Sequence, residues 1–142
     1  IINKMTGVST GMSPIRMAIT ILLQHPELHK AVGDFDKIAN LSRPGIAILI
    51  ELLETLRQQP HLNTAALLER AREAEHADHL IKLAIQTLTL SAKELEHELV
   101  GAVEQLQQEA QKSRHEVLMA KGLSQLTQEE REEIQRLEIR MR

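Results

Sequence analysis

Apolar residues recur three and four positions apart along most of the chain, and four prolines divide the repeats into segments. This spacing places side chains on one face of a helix, so it predicts a series of amphipathic helices. The first begins at Ser13-Pro14, because Ser caps a helix and Pro suits its first turn. Its apolar stripe comprises Ile15, Ala18, Ile19, Leu22 and Leu23. Pro26 ends the stripe, and a second, short helix is predicted through Leu28 and Val32.

The middle of the chain contains its most apolar segment. Apolar side chains lie almost all round a helix over 46–56, which is typical of the buried centre of a bundle. Pro60 ends this helix. Asn63 is predicted to cap a short helix that reaches Arg72, and a further stripe extends over 77–88.

A long helix is predicted after residue 91. Ser91 and Glu94 form a capping box, S-x-x-E, and no proline follows before residue 121. Such a helix would extend for roughly 40 Å. Its sequence turns polar after Leu106, so we expect the second half to project from the bundle. Gly122 suits the end of this helix, and a second capping box at 127–130 opens a last helix that ends near residue 140.

These elements predict an all-α fold, with a helical bundle followed by a long bridging helix and a C-terminal helical hairpin. Residues 1–12 are small and polar and are interpreted as a linker remnant. Residues 13–92 form the predicted bundle subdomain, and 93–142 the long helix and hairpin. The chain begins with Ile rather than Met, so we expect a piece of a longer protein.

The composition supports a globular helical protein and narrows its chemistry. The 142 residues are 42% hydrophobic and 26% charged, with a single aromatic residue, and Leu, Ile and Ala supply most of the apolar share. The absence of Cys excludes disulfides and thiolate zinc sites. No apolar run is long enough for a membrane span. The net charge of −3 argues against direct binding to nucleic acid.

Two Glu-x-x-His pairs, Glu73 with His76 and Glu94 with His97, are candidate metal ligands. Di-iron bundles use two such pairs facing inward. On a helical wheel, Glu94 and His97 fall on the face opposite the apolar stripe, which favours a solvated charged face instead.

Two further clusters are weaker candidates. The segment 76–79 could hold a surface ion, and Asp34-Phe35-Asp36 resembles paired magnesium ligands, although a turn or cap with Phe35 in the core is the preferred interpretation. Because no phosphate-binding loop, nucleophile elbow or zinc-protease motif is present, the sequence predicts no active site, no metal and no cofactor for this chain.

Several stretches, taken together in order and spacing, resemble one known family. They are 14–28 (PIRMAITILLQHPEL), 41–46 (LSRPGI), 59–62 (QPHL), 67–70 (LLER) and 126–131 (LTQEER). The resemblance covers 14–142 and is to the C-terminal helicase-binding domain of bacterial replicative DNA primase. It implies a non-catalytic piece of a cytoplasmic primer-synthesising enzyme, with zinc and magnesium belonging to the parent primase.

The resemblance also implies two protein partners, while the apolar runs and the net charge predict no membrane or direct nucleic-acid contact. The bundle would bind the acidic C-terminal tail of single-stranded-DNA-binding protein through Ile15, Arg16, Ile19, Lys82 and Leu83. An acidic tail with an apolar end requires cations beside an apolar notch, and these residue types can supply both.

The terminal hairpin would dock onto the replicative DNA helicase hexamer. Its apolar residues exceed what one seam between two helices can bury, which leaves some for a partner's groove. The predicted helicase-binding residues are Val117, Leu118, Leu126, Ile134, Leu137, Ile139 and Met141. The alternatives are the N-terminal domain of the helicase itself, which is similar in shape, and a metal-binding helical bundle.

Overall fold

The structure is a computed structural model that describes residues 12–142, and all the regular elements in this part of the chain are helical. The all-α prediction is therefore confirmed. Three 3₁₀ segments accompany the α-helices, at Pro26–Ala31, Asp36–Asn40 and Leu123–Gln125. The α-helices are α1 (Pro14–Gln24), α2 (Ile46–Gln58), α3 (Thr64–Arg70), α4 (Ala77–Ile85), α5 (Ala92–Ala120) and α6 (Gln128–Arg140). The predicted linker remnant lies outside the described residues, apart from Met12, which packs against the bundle.

The helix starts follow the predicted caps. The Ser13 hydroxyl accepts the Arg16 N–H at 3.2 Å, and reciprocal capping boxes open α5 and α6. The helix ends are less well predicted. The helix expected to reach Arg72 stops at Arg70, and the stripe expected over 77–88 is helical only as far as Ile85. The short helix expected through Leu28 and Val32 is a 3₁₀ segment that begins at Pro26.

The most buried helix is α1, which corrects the prediction that α2 forms the buried centre. Eight of the eleven residues of α1 are buried, because α2, α3, α4 and α5 all pack against it. In contrast, Ala47 is exposed and Ile48 and Ile50 are half-buried on α2. The wheel of α2 suggested burial on all sides, but its glutamates at 51 and 54 face solvent.

The long helix α5 leaves the bundle near its midpoint. Its side chains belong to the bundle core as far as Leu106. The Arg43 guanidinium donates hydrogen bonds of 2.6 and 2.9 Å to the two carboxylate oxygens of Glu109. The Gln107 side-chain amide donates to the carbonyl of Asp34. Beyond these contacts α5 pairs with α6, and the two helices with their connection form the hairpin (113–142). Within residues 12–142, no helix has the length and apolar character needed to cross a bilayer.

Candidate interaction surfaces

A notch between α1, the start of α2 and α4 brings together four of the five residues predicted to bind an acidic tail. Ile15, Ile19 and Leu83 are buried in its floor, and Arg16 stands exposed at its rim. The cavity measures about 350 Å³. It is lined by Ser13, Ile15, Arg16, Ile19, Pro44, Gly45, Ile48, His79, Leu80 and Leu83.

Lys82, the fifth predicted residue, does not line the notch. It is exposed on α4, and adjacent residues point about 100° apart around a helix, so Lys82 diverges from Leu83. His79, one turn before Leu83, lines the notch instead. Sequence analysis missed His79 for this surface, although its spacing of four from Leu83 was a usable signal.

Two contacts define the shape of the notch. The Gln24 side-chain amide donates to the Leu83 carbonyl at 2.9 Å and to the Gln86 carbonyl at 2.7 Å, which fixes the end of α4 against α1. At the opposite wall, Gly45 has a φ of 89°, and a Cβ built there would lie 2.9 Å from Cγ2 of Ile15. Gly45 therefore lets the backbone approach the floor more closely than another residue would.

Four of the seven predicted helicase-binding residues belong to the core of the hairpin rather than to its surface. Leu118, Leu126, Ile134 and Leu137 form one cluster and are at most 8% exposed. The prediction treated them as contact residues, and the structure corrects this, because the seam between α5 and α6 already covers them. Their role is to hold the two helices together.

The other three predicted residues are exposed: Val117 by 51%, Ile139 by 66% and Met141 by 44%. Met119 and Leu123 are exposed as well. Five of the seven large apolar side chains that are exposed in residues 12–142 therefore lie on the hairpin. Single exposed apolar residues are ordinary, and Val117 and Met119 point about 200° apart on α5, but the number of such residues on the hairpin makes it the candidate interaction surface.

Ion pairs cross between the helices of the hairpin. Arg114 donates two bonds to Glu133, at 2.8 and 3.1 Å, and this hydrogen bonding lowers the pKa of Glu133. A hydrogen bond from the Lys121 ammonium group similarly lowers the pKa of Glu130, which also closes the cap of α6. Nε2 of His115 also lies 3.1 Å from a carboxylate oxygen of Glu138, within hydrogen-bond distance.

The carboxylates considered for metal binding have other partners. Glu94 accepts the backbone N–H of Ser91 at 3.0 Å, a bond that lowers the pKa of Glu94. Asp34 accepts the N–H of Asp36 at 2.9 Å, as expected for a turn, and Glu73 pairs with the neighbouring arginine at 3.7 Å. In the part of the chain that the structure describes, no three His, Asp or Glu side chains are grouped so as to hold a metal ion.

This bundle-and-hairpin fold, with a notch and a separate apolar hairpin surface, is that of an all-helical interaction domain. A sequence-family model described as DNA primase DnaG DnaB-binding matches residues 15–137. The chain belongs to this family, the DnaB-binding domains of DNA primase. The resemblance inferred from the sequence is thereby confirmed, and the family match favours primase over the N-terminal domain of the helicase.

Similar proteins agree with this assignment. The DNA primase of Buchnera aphidicola is 40% identical over 60 residues, which cover 42% of this chain and 10% of that protein. The DNA primase of Legionella pneumophila is 38% identical over 64 residues, or 45% of this chain and 11% of the relative. The matched segment thus spans about a tenth of these relatives.

A solved structure has the same fold. The DnaG primase C-terminal domain from Vibrio cholerae superposes with a TM-score of 0.79 at 29% identity. The match covers 89% of this chain and 97% of the Vibrio domain, so the bundle and the hairpin are both included.

Proposed function

We propose that this domain docks DNA primase onto the replicative helicase during primer synthesis, and that the hairpin makes the contact. The proposal is supported by the number of exposed apolar side chains on the hairpin, in a chain of the DnaB-binding family. The domain itself performs no catalysis in this proposal. Primer synthesis, with its zinc and magnesium, resides in the rest of a longer cytoplasmic primase.

The hairpin is suited to helix-in-groove recognition. Ile139 is two-thirds exposed on a helix whose other face is fixed by the buried pair Ile134 and Leu137. Covering apolar surface gains about 25 cal/mol per Å². The hairpin core and the Arg114–Glu133 pair hold α6 in place, so less conformational entropy is lost on docking than for an unfolded segment.

Charge substitution at one exposed position tests the docking surface. Ile139→Asp should weaken binding to the replicative helicase by about tenfold or more, because an apolar contact would be replaced by a desolvated carboxylate. Ile81→Asp is the matched control, since Ile81 is 46% exposed but lies on α4 in the bundle. Equal affinities of the Ile139 variant and the parent chain would remove this face from the interface.

We further propose that the notch binds the acidic C-terminal tail of single-stranded-DNA-binding protein. Its buried floor of Ile15, Ile19 and Leu83 suits an apolar terminal side chain. Arg16 at the rim can pair with the terminal carboxylate of the tail. Lys82 lies outside the notch, where it can meet the acidic residues that precede the end of the tail.

An acidic peptide with an apolar C-terminal residue tests this second proposal. Arg16→Glu should weaken its binding most, Lys82→Glu less, and both effects should shrink as salt is raised. Lys30→Glu, which reverses an exposed charge outside the notch, is the control. Amidation of the peptide terminus should mimic Arg16→Glu. Affinity that is unchanged in both Arg16→Glu and Lys82→Glu would contradict the site.

A further inference from the structure

A groove separate from the notch lies where the hairpin meets the bundle. One wall comes from the 3₁₀ segment Asp36–Asn40 and the residue that follows it, and the other from α5 and α6. The groove has a volume of about 560 Å³. The side chains that matter for its chemistry are Lys37, Leu41, Val117, Arg136, Leu137 and Arg140.

The walls of the groove carry positive charges that lack ion-pair partners. Lys37, Arg136 and Arg140 have no carboxylate within 4.0 Å in residues 12–142. Glu133 is the one carboxylate of this lining, and Arg114 already holds it through two bonds, although its charge also reaches Arg136. The groove is thus cationic in a chain whose net charge is −3.

The floor of the groove is apolar. Leu137 is 4% exposed and Leu41 is half-buried, while Val117 is 51% exposed and projects into the same space. Cations stand on both sides of this strip, with Lys37 on the bundle wall and Arg136 and Arg140 on α6. A complementary ligand therefore needs apolar groups with negative charges along both edges.

We propose that this groove binds an internal acidic segment of a partner protein, in which carboxylate and apolar side chains alternate. Single-stranded nucleic acid fits the groove less well than an acidic peptide does. Proteins usually bind it by stacking the bases on aromatic rings, and this chain has a single aromatic residue. The one aromatic residue of the chain, Phe35, is buried, with the Arg57 guanidinium 4.7 Å from its ring centre. The groove also differs from the notch. Its cations lie along two walls, so a ligand can pair with them through side-chain carboxylates and needs no chain terminus. The proposal is independent of which protein covers Ile139.

A short peptide of alternating Asp and Leu, amidated at its C-terminus and labelled for fluorescence anisotropy, tests the proposal on the 142-residue chain. Amidation excludes recognition of a terminal carboxylate at the notch. Arg140→Glu and Lys37→Glu should each weaken binding about tenfold, less so in high salt. The two residues lie on different elements, so loss in both variants is not explained by damage to α6, and circular dichroism checks that each variant is folded.

Control variants separate the groove from its surroundings. Lys112→Glu reverses an exposed charge on α5 outside the groove, so this variant should bind the peptide as the parent chain does, whereas Arg16→Glu reports how much of the peptide binds at the notch. The proposal is overturned if the acidic peptide does not bind or if an Asn–Leu peptide binds equally well. It is also overturned if only Arg16→Glu reduces binding, or if oligothymidylate competes for the groove and binds it more tightly.

Discussion

The bundle and the hairpin are stabilised in different ways. The bundle buries 22 apolar side chains in one continuous core, whereas the hairpin buries four. The hairpin is held in addition by the ion pairs Arg114–Glu133 and Lys121–Glu130 and by the capping box of α6, and it leaves five large apolar side chains exposed. The comparison shows that the region proposed to meet the helicase is also the region with the least internal burial, as is usual for binding elements.

The largest expected effect comes from damage to the bundle core. Leu22 is fully buried in α1, so Leu22→Ala should cost about 2–5 kcal/mol of the free energy of unfolding. The loss should appear throughout the bundle in urea denaturation followed by circular dichroism. A cost near zero would contradict the central position of α1.

The matched change in the hairpin should act locally. Leu118 is also fully buried, but it has only three buried apolar partners in its cluster. Leu118→Ala should therefore open the hairpin, with a local cost of about 2–3 kcal/mol, and leave the bundle protected. Hydrogen exchange resolved by segment measures both regions at once. Equal loss of protection in α1 would show that the two regions unfold as one unit.

Lowering the pH should also destabilise the hairpin while the bundle stays folded. The pKa values of Glu133 and Glu130 are lowered by Arg114 and Lys121, so these carboxylates stabilise the hairpin above their ordinary pKa of 4.5. The stability that these carboxylates contribute is lost as the pH falls below 4.5 and passes through their lowered pKa values. The protection factors of the α6 amides, which take account of slower intrinsic exchange in acid, should fall over this range while those of α1 stay high. Simultaneous loss in α1 would argue against a separate, charge-dependent hairpin.

The smallest expected effect is that of a single ion pair. Glu133→Gln removes the partner of Arg114 at a site where both side chains are about one-third or more exposed, so it should cost about 0.5–1 kcal/mol of hairpin stability. Glu116→Gln, at an exposed position without an ion pair in the described residues, should cost less. The difference should decrease in high salt. A difference that persists in high salt would assign the effect to packing instead.

The sequence predicted the helix starts well because capping depends on local chemistry. Ser13, Ser91 and Thr127 each accept the backbone N–H of the third residue of their helices, as their neighbours in the sequence indicated. The absence of proline likewise predicted the length of α5, and Gly122 ends it at a φ of 79°. The caps and the closing glycine require only residues within one turn of each other.

Burial was harder to predict because it depends on distant elements. A wheel identified the apolar face of α6 but could not show that α5 covers Ile134 and leaves Ile139 exposed. For the same reason His79 was missed at the notch, since its position there depends on the packing of α4 against α1. The cationic groove depends on residues about a hundred positions apart, Lys37 and Arg140, which no local pattern connects.

Binding of a truncated chain to the replicative helicase tests the central claim most directly. Removal of the residues after Ala120 deletes α6 and three of the four residues of the hairpin core, while the bundle core remains complete. The truncated chain should keep a protected α1 and its affinity for an acidic tail peptide, and it should lose measurable binding to the helicase. Undiminished affinity for the helicase in that chain would contradict docking through the hairpin.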